Sequence, residues 1–494
     1  MNNNIYINKL NEIIELQSKD ALLNSNEMLD EINKITDEEK WRYFYRFAKS
    51  FPNTDNYIKL IKSLITDKNL VWDEKLCILN TVNFDIFTNP DMLTHELNKL
   101  IFILYKQIQN EFESNLKVRK NIRERDTEVV LVTIQQFLGI GHAPSKTLLD
   151  RAYCLKNNMH KKVIIINTAE MLGGARIKGF NMLYGNYDES LNDKEFVEYN
   201  GEKFPFMQFE QDTPNVETTE LLCDYVEKLK PSYIINIGKE SLMIEQLRRL
   251  VPVLNINTVP SQIAMSSATV QMVGESMVID DSVKELLSIL NRNENNIIKG
   301  RFTSSLPIKK THIYSKKMIG VPEDVFVISI IGTRLDNEMN DAFLAMLNRV
   351  LSDDVWVVII GKMDSYSELL QEKYPNIKKY STYLGMQSDV LAILEQCDLY
   401  INPPRRGGGT SVIEAMYMGL PVVSLNYGDV ALGCGEEFCV KDLNDMEEEI
   451  LHYNKDSIYY NKKSLLAKKR ADYMLDSKTA FCEIIQKFES IINR

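Results

Sequence analysis

The spacing of apolar residues changes character near residue 125. Before that point they recur at helical intervals, as in Ile5-Leu10-Ile13-Ile14, Trp41-Phe44-Phe47 and Tyr57-Leu60-Ile61-Leu64-Ile65. Pro52-Asn53 and Asn89-Pro90 interrupt the pattern and mark breaks between helices. From Glu128 onward, short apolar runs alternate with helical stretches. The runs 129–134, 163–166, 233–237 and 253–256 predict strands, and 144–157, 216–229 and 240–250 predict the helices between them. A second series predicts strands at 325–331, 355–360, 378–380, 399–401 and 422–425. Its helices are expected at 337–351, 364–373, 387–396 and 410–418. Alternation of this kind predicts a parallel sheet covered by helices, here twice over. The stretch 284–322 is polar and less periodic, and reads as a hairpin plus a crossover between the two series. A long helical stretch from about 443 ends the chain.

The expected organisation is therefore an all-α region at 1–125, a Rossmann-like domain at 126–318, and a second at 319–494 with C-terminal helices. A chain of 494 residues is too long for one core. Its 44% hydrophobic and 26% charged residues describe an ordinary globular protein, and a net charge of −11 argues against general nucleic-acid binding. Seven cysteines are scattered without metal-ligand or disulfide spacing, which together with the lack of a signal-peptide pattern predicts a cytoplasmic setting. The apolar runs are far too short to span a bilayer, leaving only peripheral membrane contact open.

The most informative segment is 401–425. A strand runs into Arg405-Arg406-Gly407-Gly408-Gly409, then Thr410 and Ser411 at the start of a helix whose only charged residue is Glu414. A glycine loop feeding a helix N-terminus offers unpaired N–H groups and the positive end of the helix dipole, so it suits phosphate. Glu414, one turn further on, can accept hydrogen bonds from hydroxyl groups beside that phosphate.

The run Glu414-Ala415-Met416-Tyr417-Met418-Gly419-Leu420-Pro421-Val422-Val423 resembles the donor-binding element of GT-B glycosyltransferases, above all the retaining group with a Glu-x7-Glu motif. In that group the second glutamate bonds the ribose of the nucleotide sugar, and the first faces the transferred sugar. Here Arg406 stands at the first position, which leaves the stereochemical outcome open. The resemblance implies two Rossmann-like domains facing a cleft, with ligands at the carboxyl ends of the strands.

It also assigns roles at other strand ends. Arg334, in Gly332-Thr333-Arg334-Leu335, aligns with an arginine that neutralises the donor diphosphate, for which a guanidinium fork is well shaped. The lysine that usually follows is missing, and Lys362 is the candidate replacement. Tyr383 and Leu384 fall where the family contacts the nucleotide base. In the first Rossmann-like domain His142, followed by Ser145 and Lys146, is the candidate base or sugar-holding group. Gly173 and Gly174 make a second loop, too unspecific to assign.

The implied activity is transfer of a hexosyl or N-acetylhexosaminyl group from a nucleotide sugar, with a UDP-sugar expected, to a protein or glycan acceptor in bacterial-type surface glycosylation. No metal site and no cofactor beyond the donor is expected. The helical region is a candidate acceptor-engaging module. Two alternatives stay open: a non-catalytic GT-B-like adaptor or stabilising partner of a glycosyltransferase, and a sugar-nucleotide 2-epimerase.

Overall fold

A computed structural model describes residue 32 and residues 40–139, 142–170, 187–210, 213–304, 310–369, 373–405 and 407–493. The earliest helical pattern, Gly173-Gly174 and Arg406 lie outside the described residues. Among the described residues the helical region contains α1 (Lys40–Ser50), α2 (Thr54–Thr66), α3 (Trp72–Thr88) and α4 (His95–Ser114). Their starts are set locally. The Asn53 side chain accepts from the Asn56 amide at α2, and Thr94 does the same for Leu97 at α4.

The first α/β domain runs β1 (Asp126–Ile134), α5 (Ala143–Asn158), β2 (Lys162–Asn167), β3 (Phe196–Tyr199), β4 (Glu202–Gln208), α6 (Val216–Leu229), β5 (Pro231–Ile237) and α7 (Leu242–Gln246). It continues with β6 (Val253–Ile256), β7 (Val270–Gly274), α8 (Asp281–Ile289) and β8 (Ile297–Gly300). The sheet order is β3-β4-β2-β1-β5-β6-β7-β8, parallel except for the β3–β4 pair. The hairpin expected at 284–322 is thus not formed by the described residues there. Asp280 caps α8, which crosses over so that β8 extends the sheet in parallel beside β7. The antiparallel pair of this domain is instead β3–β4, which periodicity did not single out because Phe196 and Glu198 face solvent.

The second domain runs β9 (Phe326–Gly332), α9 (Leu335–Glu338), α10 (Asp341–Val350), β10 (Val355–Gly361), α11 (Tyr366–Leu369), α12 (Pro375–Lys379) and β11 (Ser381–Gly385). Then come α13 (Val390–Leu394), β12 (Leu399–Ile401), α14 (Gly409–Tyr417), β13 (Val422–Leu425), α15 (Gly428–Cys434), β14 (Cys439–Val440), α16 (Leu443–Lys455), α17 (Ser457–Leu475) and α18 (Ser477–Ile492). Its sheet order is β11-β10-β9-β12-β13-β14, all parallel. The sequence pattern does not predict α15 and β14, and two predicted elements take a different form. The strand expected at 378–380 is the end of α12, begun by Pro375 in its first turn, and the strand starts only at Ser381. The helix expected at 337–351 is broken, because the Asn340 side chain accepts from the Phe343 amide and starts a new helix there.

Two packing features decide how the parts sit together. The helical region shares its core with the first α/β domain: Ile101, Leu104 and Phe112 belong to one cluster with Leu242, Met265 and Leu286. His95 and Lys99 both pair with Glu285 along the same seam. At the other end, α18 leaves the second domain and buries Phe481, Ile484, Ile485 and Phe488 in the core of the first. No helix among the described residues is long and apolar enough to cross a membrane.

Candidate functional site

The glycine loop sits where β12 hands over to α14. Gly408 adopts φ +102°, the left-handed region in which a side chain is strained, and it is the N-cap of α14. Gly409 is already helical. Thr410 and Ser411 therefore do not cap the helix; they occupy its first turn. The Ser411 hydroxyl donates back to the Gly408 carbonyl at 3.0 Å and lies 3.1 Å from the Tyr400 hydroxyl. The backbone N–H groups of that first turn have no partner within the helix.

Behind the loop stands Arg405, which is buried and fully engaged. Its Nη1 donates to Glu338 Oε2 (2.7 Å), its Nε to Asn402 Oδ1 (2.7 Å), and its Nη2 to the Ile331 carbonyl (2.6 Å) and the Tyr400 hydroxyl (3.0 Å). Such a set ties β9, β12 and the loop into one unit. The packing is close enough that a Cβ on Gly332 would lie 2.6 Å from Arg405 Nη1. Beside it Gly361, at φ +121°, lies so near Gly332 that a Cβ there would stand 1.7 Å from the Gly332 carbonyl oxygen. Neither Arg405 nor Glu338 was singled out from sequence, although Glu338 stands one helical turn from Arg334.

Arg334 does come to the loop. A Cβ on Gly407 would be 3.4 Å from its Nη2. Its side chain is 46% exposed and shares Glu338 with Arg405, at 3.3 Å. The guanidinium carbon also lies 5.2 Å from the centroid of Phe87, so the helical region reaches the loop of the second domain. Glu414 is half-buried and its carboxylate makes no hydrogen bond among the described residues; burial raises its pKa and Lys146 opposes that rise. Lys146 belongs to α5 of the first domain, so the charges of the two domains face each other here. Burial lowers the pKa of Lys146, and Glu414 and Asp150 act against that. Asp429, which stands against Gly409, has its carboxyl pushed up to about 6 by burial.

Other sequence candidates take different places. His142 precedes α5, with Nδ1 2.8 Å from the Ser145 hydroxyl, and burial lowers its pKa. Lys362 is mostly exposed and its ammonium pairs with Asp364 at 3.1 Å. Its backbone holds the strand ends together, since its N–H donates to the Gly332 carbonyl and its own carbonyl accepts from Leu335. The Tyr383 hydroxyl accepts from the Met363 N–H and donates to the Gly361 carbonyl, both at 3.1 Å, and its ring stacks on Tyr366. Tyr383 thus serves the packing of β10 and β11. Leu384 is half-buried, and its carbonyl accepts from Gln387.

Comparison with known proteins fits this geometry. Residues 326–456 match the family model described as Glycosyl transferases group 1. No curated protein matches the chain in sequence. Similar solved structures include a glycosyltransferase from Rickettsia africae, at 12% identity and TM-score 0.55, covering 74% of this chain and 99% of that one. A Thermobaculum terrenum O-GlcNAc transferase mutant covers 99% of this chain and 98% of its own at 11% identity and TM-score 0.54. Anabaena HepE in complex with UDP covers 73% and 99% at 12% identity and TM-score 0.52. These identities speak to architecture alone. The chain has the GT-B fold, two Rossmann-like domains preceded by helices, and its second α/β domain carries the glycosyl transferases group 1 signature.

Proposed function

We propose that the protein transfers a hexosyl or N-acetylhexosaminyl group from a nucleotide sugar, preferably a UDP-sugar, to a protein or glycan acceptor without a metal. One observation carries the reading. Glu414 offers a carboxylate without a hydrogen-bond partner among the described residues, one turn inside a helix whose N-terminus is built by a glycine loop and flanked by Arg334. Backbone N–H groups and the guanidinium are the right chemistry for a departing diphosphate. The carboxylate is the right chemistry for the ribose hydroxyls. Lys146, facing Glu414 from the first domain, adds a cation on the opposite wall. HepE, of the same architecture, is seen with UDP, which supports the choice of base.

The test is thermal stabilisation and nucleotide release with a panel of UDP- and GDP-sugars. Stabilisation by at least one UDP-sugar is expected, with affinity reduced about tenfold or more in Glu414→Ala and in Arg334→Ala. No response to any nucleotide sugar would sink the enzyme reading in favour of the non-catalytic adaptor, which Arg406 in place of the family's glutamate favours. A sugar-nucleotide isomer formed without nucleotide release would point to the epimerase.

A further inference from the structure

Two thiols meet behind the glycine loop. Cys434 ends α15 and Cys439 opens β14, with Gly435 and the short turn Glu436–Phe438 between them. A spacing of five residues carries no recognisable pattern, yet the fold brings the two sulfurs to 3.9 Å. Cys434 is fully enclosed, whereas Cys439 is half-buried and its Sγ also lies 3.4 Å from the Gly435 carbonyl oxygen. Among the described residues no third metal-ligating side chain joins them, so the pair stands as a dithiol.

The two sulfurs are chemically unequal. The Cys434 thiol donates to the Cys439 sulfur and lowers its pKa, against the opposing effects of burial and of Glu437 and Glu436. The same contact, together with burial, raises that of Cys434. Elsewhere burial pushes the thiols of Cys154 and Cys223 up to about 12. The thiolate is the reactive form, so an oxidant meets Cys439 first and finds Cys434 in contact with it as a resolving partner.

The pair also bears on the donor loop. Asp429 and Val430, in the first turn of α15, stand against the loop: a Cβ on Gly409 would lie 3.3 Å from Asp429 Cβ, and one on Gly408 would lie 3.0 Å from Val430 Cγ2. Gly433, next to Cys434, is pressed onto α14, where a Cβ would be 2.9 Å from Val412 Cγ1. A disulfide holds its sulfurs about 2 Å apart, so these two must approach by about 2 Å more. Rotation about χ1 supplies part of that approach. The rest is a shift of α15 against β14, which is paired to the sheet edge only through Cys439 and Val440. Packed this closely, α15 passes the shift on to the loop and to α14.

We propose that Cys439 and Cys434 form an oxidation site, in which hydrogen peroxide closes a disulfide that ties α15 to β14 and weakens the donor loop, and a small thiol reopens it. The Cys439 thiolate attacks one peroxide oxygen, the O–O bond breaks, and the departing hydroxide takes up the proton that Cys439 had lost. Cys434 then attacks the sulfenic sulfur, the S–O bond breaks, and the oxygen leaves as water with the Cys434 proton. Two thiols and one peroxide thus give one disulfide and two waters. The disulfide rests on the fold alone; its effect on donor binding rests on the transferase reading given above.

The test treats the full chain with hydrogen peroxide and follows it by peptide mapping, dimedone labelling and calorimetry with UDP-glucose, before and after reduction with dithiothreitol. A Cys434–Cys439 disulfide without a lasting dimedone adduct is expected. UDP-glucose affinity should fall about threefold or more in the oxidised form and return with dithiothreitol. In Cys434→Ser the oxidation should stop at a dimedone-reactive Cys439, and in Cys439→Ser peroxide should leave UDP-glucose affinity unchanged. Both thiols intact after peroxide, a disulfide in another pair with these two still reduced, or equal affinity of the oxidised and reduced forms would each overturn the proposal. Absence of UDP-glucose binding to the reduced protein would instead remove the transferase reading, and the mapped disulfide alone would then decide whether the oxidation site stands.

Discussion

The strand ends of the two α/β domains meet opposite demands. In the second domain nearly every polar group behind the glycine loop is engaged: Arg405 makes four hydrogen bonds, Glu338 receives two guanidinium groups, and Gly332 and Gly361 meet backbone to backbone. In the first domain the strand ends and the helices over them bury carboxyls instead, with Glu170 accepting from the Ser241 hydroxyl and Glu245 from the Gln109 amide. Burial pushes the Glu170 carboxyl up to about 7 and that of Glu245 up to about 8. A pocket for a constant ligand part, such as a diphosphate, gains from being fixed in advance. Buried carboxyls cost stability, and desolvation moves their titration toward neutral pH.

The largest break in that contrast should come from Arg405→Ala. It strands Glu338 without its closest cation in a buried site, at a cost of about 3–5 kcal/mol in urea unfolding. UDP-sugar binding should disappear with it, although Arg405 is not expected to touch the nucleotide. Arg405→Lys should rescue little, because one ammonium cannot serve four acceptors spread around a planar fork.

A smaller effect should appear in the pH dependence of stability. Glu170 and Glu245 keep their protons in the folded state after the unfolded chain has lost them. The folded state therefore binds more protons between about pH 4.5 and 8, and stability falls as pH rises through that window. The slope is at most about 1.4 kcal/mol per pH unit for each group. Glu245→Gln should flatten it, and urea midpoints unchanged between pH 5 and 8 would contradict the assignment.

The smallest expected effect belongs to Asp429 beside Gly409. Its carboxyl, pushed up to about 6, becomes charged as pH rises and then repels a diphosphate. UDP-glucose affinity should strengthen about threefold to tenfold between pH 7.5 and 5.5, on the order of 1 kcal/mol for one charge near the surface. Asp429→Asn should remove that dependence, as measured by calorimetry at both pH values.

What the sequence by itself determined was local. Two series of strands and helices followed from period, and the glycine loop, Arg334 and Glu414 followed from a contiguous motif, because neighbours in the chain suffice to specify a βα turn. The strands β3, β4, β7, β8 and β14 escaped that reading. Most are short, and none carries the uninterrupted apolar run that marks the other strands; they are strands because a neighbouring strand offers its edge. Arg405 was passed over beside Arg406 because its role is defined by Glu338, Asn402 and Ile331, which only folding assembles around it. Lys146 could be read as the start of a helix, but its position opposite Glu414 depends on how two domains face each other. The meeting of Phe87 with Arg334, and the pairing of His95 and Lys99 with Glu285, were likewise decided by tertiary structure. They join residues more than one hundred positions apart through a helical layer that shares its core with the first domain, and no local pattern carries a contact of that kind.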